Sequence, residues 1–263
     1  MMVVPTSCAC QVGRQNRTQD LSPRVGYLCR GVPAEWSWEV SVESLSQRLF
    51  EALTNGDRPS ARAIVDESFR DGASAEQIVS ELFWPTYEQI ENLFREDKLT
   101  TLAHHMATRL LRSLCDQAAQ RFSFKNPIGR SVFAVCGPTD ADELAGQMAA
   151  DLLEAEGFAV NYAGSGIAND ELLEIVQTTQ PNVLLIFSSA PADLPGIREL
   201  IDTMREIGAC DGIQIVVGGG VFNRAEGLAE EIGADLWAED PTELCHVMID
   251  YPDHRAEDEQ RTV

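Results

Sequence analysis

Three short stretches of small and polar residues, each directly after an apolar run, are the parts of this sequence that could host chemistry. Gly137 and the segment Glu143-Leu144-Ala145-Gly146 follow Val132-Phe133-Ala134-Val135. Ser188-Ser189-Ala190 follows Val183-Leu184-Leu185-Ile186-Phe187, and Gly218-Gly219-Gly220 follows Ile213-Gln214-Ile215-Val216-Val217. The gap from Gly146 to Ser188 is 41 residues and that from Ala190 to Gly218 is 27 residues. Apolar runs of this length read as buried parallel strands, so the three loops meet at one carboxyl edge of one sheet, where open α/β sheets bind ligands. Singly, a glycine after a strand is a tight turn; together the three describe a slot with room in it.

Titratable side chains near the slot are mostly acids. Asp140, Asp142 and Glu143 crowd its first loop. A carboxylate is a harder metal donor than imidazole, and adjacent acids raise one another's pKa unless solvated, so the trio reads as the solvated start of a helix whose dipole favours negative charge. Upstream, nine residues separate Phe94 from His104-His105, two of the four histidines in the chain. Neighbours on a helix point about 100° apart, so one of the pair at most faces a given pocket. By residue type alone Phe94 is a core aromatic and the histidines a surface pair, as are His246 and His254 near the carboxyl end. No GxGxxG fingerprint, GxxxxGK[ST] loop or GxSxG elbow occurs. The chain presents no defensible nucleophile, acid or base, and a non-catalytic role is expected.

The elements that must position these residues fall into two groups. Residues 1–38 mix Pro, Gly, Arg, Asn and Ser without a period and are expected to be a disordered tail, with Trp36 and Trp38 pinning its end to the body. From Val42 the period is helical: Leu45, Leu49, Phe50 and Leu53 share a face. Pro59 opens a second helix. Ser74-Ala75-Glu76-Gln77 caps a third that runs to Phe94, with Pro85 kinking it or starting a new segment. The fourth spans about Thr100 to Arg121, with Leu102, Met106, Leu110, Leu111 and Leu114 as its stripe. Four helices with short connections predict an antiparallel bundle over 39–124. After a linker at Phe124–Gly129, strand and helix alternate over 130–250, including a helix from Ala225 to Ile232, and predict a doubly wound parallel sheet. The segment 251–263 reads as a charged, frayed tail.

Composition narrows the role further. A net charge of −22 and a pI near 4.4 exclude an autonomous hold on nucleic acid or anionic lipid, which needs clustered Lys and Arg. The start lacks the pattern of a secretory signal, and no stretch approaches a membrane span. Seven cysteines (8, 10, 29, 115, 136, 210 and 245), an odd number without a repeated CxxC, suit a reducing, cytoplasmic setting.

The loop spacing resembles that of the cobalamin-binding domain family, whose signature runs Asp-x-His-x-x-Gly, Ser-x-Leu and Gly-Gly across gaps like those above. The chemistry departs at two positions: Ala141 stands for the aspartate and Glu143 for the histidine. The helices carry a second resemblance, to a cap that reads Pro, then an aromatic, nine residues, then Glu-His; here Pro85, Phe94 and His104-His105 take those places. The resemblance implies an α/β fold of flavodoxin-like or Rossmann-like type behind a helical cap, with cobalamin, in adenosyl or methyl form, between them. It implies contacts from Phe94, His104, His105, Gly137, Glu143, Gly146, Ser188, Ser189, Gly218 and Gly219, with His105 as the metal ligand and the nucleotide tail threaded where the small residues leave room. On this reading the protein is a sensor that signals to a protein partner, a regulator or transcription factor, and it could form a homo-oligomer. The alternatives are a corrinoid carrier subunit of a methyltransferase, a heme sensor on the same fold, and an interaction domain with an empty slot.

Overall fold

The computed structural model describes residues 34–208, 212–225 and 227–256. Four helical segments come first: α1 (Ala34–Thr54), α2 (Arg58–Arg70), a compound third segment, and α5 (Thr101–Ala119). The third segment begins as α3 (Ala75–Gln77), widens into a π turn over Ile78–Phe83 and continues as α4 (Trp84–Arg95). Ser74 and Gln77 form the reciprocal capping box the sequence suggests. The π turn sits directly before Pro85, where a residue without an N–H would otherwise interrupt the regular ladder. Helix α1 begins at Ala34, so positions 34–38 of the expected disordered tail are helical; Pro33 followed by Ala34-Glu35 is a sequence that permits a helix start. Residues 1–33, with Cys8, Cys10 and Cys29, lie outside the described residues, as does Cys210. Cys115, Cys136 and Cys245 are free thiols.

The second half is a five-stranded parallel sheet in the order β2-β1-β3-β4-β5. Its strands are β1 (Ser131–Cys136), β2 (Ala159–Gly164), β3 (Val183–Phe187), β4 (Gln214–Gly218) and β5 (Leu236–Ala238). Between them run α6 (Asp140–Ala155), α7 (Asn169–Thr179), α8 (Leu194–Ile207), α9 (Gly220–Asn223) and α10 (Leu228–Glu231), and α11 (Pro241–Asp250) follows. Strand order reverses between β1 and β3, which opens a crevice at their carboxyl ends. The helix expected over 225–232 is the shorter α10, which starts at Leu228 because Gly227 takes φ +78° directly ahead of it, and α9 precedes the expected range.

One hydrophobic core joins the helical half to the α6/α11 face of the sheet, from Leu49 and Phe83 through Leu111 and Leu144 to Met248. A second cluster lies under α7 and α8. The buried residues of α5 are His104, Ala107, Thr108, Leu110, Leu111, Leu114, Cys115 and Ala118, which include Leu110, Leu111 and Leu114 of the expected stripe. This corrects the stripe expected from the sequence at its start: Leu102 is 69% exposed, because the helix phase is set by the larger buried set that follows. Among the described residues no helix is long and apolar enough to cross a membrane.

The segment 251–256 is fastened across the amino edge of the sheet, which corrects the expectation of a frayed tail for these residues. Gln214, fully buried in β4, donates from Nε2 to the Tyr251 carbonyl at 2.9 Å and the His254 carbonyl at 3.0 Å. Its Oε1 accepts from Arg130 at 2.9 Å. Arg130 also donates to the carbonyls of Met248 and Pro252, and the Ala256 N–H donates to buried Asp235 at 2.9 Å. Gln214→Leu is expected to cost about 1–3 kcal/mol by stranding these partners and to expose the chain after Asp250 to limited proteolysis; a variant with unchanged melting and unchanged digestion would show the hub to be dispensable.

Helix α6 also carries Asp151, whose carboxyl is pushed up to about 7 by burial first and then by Glu154 and Asp116. A folded value above the unfolded one (about 3.9) means the native state holds the extra proton, so the associated stability is present below that value and is lost as pH rises towards 7. Asp151→Asn is expected to raise Tm at pH 8 and to leave it unchanged near pH 4, as measured by thermal melts across that window.

Candidate functional site

A cleft of about 460 Å³ separates α4 and α5 from the carboxyl edge of the sheet. Its helical wall is aromatic, with Trp84, Tyr87 and Phe94; its opposite wall is small, with Ala141, Ala145, Ser189, Ala190, Gly219 and Gly220. The buried Tyr87 hydroxyl donates to the Ala141 carbonyl at 3.2 Å and pins the two walls at one end. Burial raises the Tyr87 pKa well above its ordinary value, so the hydroxyl stays a donor.

Phe94 and His104 stack face to face, with ring centroids 3.9 Å apart and planes at 15°. His104 is buried, and its Nε2 lies 2.6 Å from Glu91 Oε1. A carboxylate on one ring nitrogen fixes the orientation of an imidazole. The other nitrogen, Nδ1, is buried with no hydrogen-bond partner among the described residues. His105 is exposed, with its ring centroid 5.9 Å from that of His104, and does not line the cleft. Of the two histidines, both expected at the ligand, it is His104 that lines the cleft, and His105, expected as the metal ligand, is outside it. The cause is helical phase: His104 falls in line with Thr108, Leu111 and Cys115, and His105 is turned outward.

Glu143, expected at the slot, does not line the cleft. One carboxylate oxygen accepts from Arg112 of α5 at 3.0 Å, the other from the Ser165 hydroxyl. These bonds, Ser165 first and Arg112 second, hold its pKa below the ordinary glutamate value. Its carboxylate thus ties the helical half to the sheet rather than awaiting a ligand. Asp142 departs from the solvated trio as well: it is 2% exposed, with one carboxylate oxygen 2.6 Å from the Thr139 hydroxyl that caps α6. Among the described residues no group of three or more His, Cys, Asp or Glu could hold a metal ion.

The small residues divide between two places. Ser189 and Gly219 line the cleft. Gly137 and Ser188 instead border a smaller cavity of about 290 Å³ at the β1–β3 crevice, reached past Gly166 and Ile167. Ser188 donates to Asp193 at 2.8 Å. At Gly146 and Gly218 the room is filled by the chain itself. A Cβ on Gly146 would stand 2.8 Å from the Tyr162 hydroxyl, and one on Gly218 would stand 2.9 Å from the Phe187 ring. The lack of a side chain at these two glycines lets Tyr162 and Phe187 approach the backbone closely. Tyr162 donates to the Glu143 carbonyl at 2.7 Å and touches Cys136, whose thiol burial pushes up to about 11.

The same architecture recurs in known proteins. Residues 130–245 match the B12 binding domain model, and residues 45–118 match a second model of that description. This chain belongs to the B12-binding domain family. Dimethylamine corrinoid protein 1 of Methanosarcina mazei is 25% identical over 209 residues, which cover 77% of this chain and 94% of that protein. Dimethylamine corrinoid protein 3 of the same organism is 25% identical over 104 residues, 40% of this chain and 61% of that protein. Among solved structures, the monomethylamine corrinoid protein of Methanosarcina barkeri superposes with a TM-score of 0.68 at 18% identity, covering 79% of this chain and 98% of that one. It shares the fold of a helical half followed by a parallel sheet.

Within this B12-binding architecture the structure adds residues that pattern reading did not select. Tyr87 and Glu91 sit two and one helical turns, respectively, before Arg95; their i, i+4 spacing on the Phe94 helix was the available signal. Arg224, four residues past Gly220, had none. Gly219 adopts φ +102°, and a Cβ there would stand 2.3 Å from the Ser188 carbonyl oxygen. Gly219→Ala is accordingly expected to destabilise the apoprotein itself by about 1–3 kcal/mol. A denaturant midpoint equal to wild type would refute this and return Gly219 to a purely ligand-facing role.

Proposed function

We propose that this chain is a corrinoid-binding carrier that presents its cofactor to a methyltransferase partner. The observation that carries this reading is the cleft between an aromatic helical wall and a small-residue sheet edge, in a chain that aligns with 94% of a dimethylamine corrinoid protein. A broad, flat ring with apolar faces and a polar rim suits such a cleft: rings of Tyr87 and Phe94 offer apolar contact, while Asn92, Thr139 and Ser189 offer polar contact at its borders. His104 lines the cleft with its ring fixed by Glu91 through Nε2 and by stacking on Phe94.

The cofactor chemistry is acceptance and release of a methyl group at cobalt. The protein's share is to bind, orient and exclude water. Phe94 holds His104 by stacking, and Glu91 fixes the ring through Nε2. Tyr87 keeps the helical wall at a set distance from α6. Among the described residues lining the cleft the one imidazole is His104, on the helical side, and Glu143 is committed to Arg112 and Ser165. The sheet side of the cleft would therefore supply no imidazole to a bound corrinoid. The methyl form is the one this role requires, and the partner is a donor or acceptor enzyme rather than a transcription factor. The sensor role came from the family resemblance, and the similarity to dimethylamine corrinoid proteins supports the carrier in its place.

The purified chain, incubated separately with methylcobalamin, hydroxocobalamin and hemin and then desalted, is expected to retain about one equivalent of either cobalamin and no hemin. His104→Ala is expected to lower cobalamin retention and His105→Ala to leave it unchanged. Retention of hemin with its visible band sensitive to His104→Ala would favour the heme reading. A carrier also exchanges methyl groups with a donor or acceptor enzyme, seen as interconversion of the methylated and unmethylated spectra; a light-driven change in hydrodynamic size without exchange would restore the sensor.

A further inference from the structure

Two guanidinium groups converge on the mouth of the cleft from opposite walls. Arg95 ends α4, and Arg224 follows α9 directly after the glycine loop. Their Nη1 atoms lie 3.6 Å and 2.8 Å, respectively, from the point a Cβ on Gly220 would occupy. Neither forms an ion pair among the described residues. Arg95 donates to the Asn92 side chain and Arg224 to the Ser189 carbonyl at 2.6 Å. The chain has 42 acidic residues against 20 Lys and Arg, so carboxylates are plentiful, yet among the described residues none is in ion-pair contact with either guanidinium. Of the nearby acids, Glu91 is engaged by His104, Asp142 by Thr139 and Glu96 by Lys98, while Glu88 feels the Arg95 charge only at a distance.

Two like charges held together without a counter-ion disfavour each other. The Arg224 pKa is lowered by burial and then by Arg95. An anion placed between them removes that cost and gains charge-assisted hydrogen bonds from donors the two side chains still have free. The glycine at 220 keeps the floor beneath them clear, since any side chain there would meet Arg224.

We propose that Arg95 and Arg224 form an oxyanion clamp at the cleft mouth that takes the phosphodiester of a nucleotide-bearing corrinoid and so joins the helical wall to the sheet edge. Phosphodiester chemistry is favoured over a carboxylate because, in a nucleotide-bearing corrinoid whose peripheral side chains are neutral amides, the phosphodiester is the anionic group, and Gly219 and Gly220 leave the cleft wall beside the two arginines free of side chains. The clamp rests on the corrinoid reading above, and the test separates the two.

The full-length chain is titrated by calorimetry with cyanocobalamin and with dicyanocobinamide, which has the same ring but no nucleotide or phosphodiester. Wild type, Arg95→Gln, Arg224→Gln and the double variant are compared, each checked for native melting. Wild type is expected to prefer cobalamin, and the double variant to lose roughly tenfold or more in cobalamin affinity, from one or two charge-assisted hydrogen bonds, with cobinamide affinity held within about twofold. Inorganic phosphate is expected to compete with cobalamin and not with cobinamide. Arg224→Lys is expected to recover part of the loss. Equal weakening of both corrinoids in the double variant, or no weakening of either, would overturn the clamp while leaving corrinoid binding intact. Phosphate binding that depends on both arginines, together with equal affinity for the two corrinoids, would assign the clamp to free phosphate and overturn the phosphodiester. Failure of wild type to bind either corrinoid would sink the cofactor reading itself.

Discussion

The molecule depends on one helix being buried on both sides. Helix α6 packs against β1, β2, β3 and α11 on one side and against α4 and α5 on the other. A helix in that position must be apolar nearly all round and slim enough for two layers to close on it. Its sequence meets both demands: Ala141, Ala145, Gly146, Ala149, Ala150 and Ala155 are interleaved with Leu144, Met148, Leu152 and Leu153, and all are buried. The cleft exists because this packing ends at Ala141 and Ala145, where the helical wall and the sheet edge part.

The same helix explains why polar groups at its amino end are structural. Asp142 is tied to Thr139, Glu143 spans to Arg112 and Ser165, and the Ala141 carbonyl receives Tyr87. Each of these bonds crosses an element boundary or closes a helix cap. A carboxylate held by a guanidinium and a hydroxyl is stable where it is, and a partly buried pair of this kind (35% and 29% exposed) contributes modestly to stability while fixing register. The divergence from an aspartate–histidine pair at this loop is thus accompanied by a built alternative use of the position.

Much of the architecture was legible in the sequence because it is carried by short-range signals. The three apolar runs, the loops behind them and the capping box at Ser74 all appear where local pattern puts them, since strand burial and helix capping are decided within a few residues. Side-chain direction was harder. The cap resemblance pointed to His105, but the helix phase is set by Thr108, Leu111 and Cys115 farther along, and it turns His104 inward. The glycines at 146 and 218 signalled space, yet nothing local could say that Tyr162 and Phe187, 16 and 31 positions away respectively, would fill it. Arg224 was invisible for the same reason: its meaning comes from Arg95, which lies on a different wall.

The polar hub at the amino edge of the sheet bears on the order in which the chain is made. Arg130 precedes β1, yet one of its acceptors, the Pro252 carbonyl, is 122 positions further on. Gln214 likewise waits for carbonyls 37 and 40 positions downstream. During vectorial synthesis the first four strands can emerge while a buried amide and a guanidinium in their midst still lack their partners, so the half-made sheet has an open, wettable seam at that edge. Closure of the seam is deferred until the ribosome has released the stretch around 251–256, which makes that stretch a latch on an already assembled body rather than a part of its nucleus.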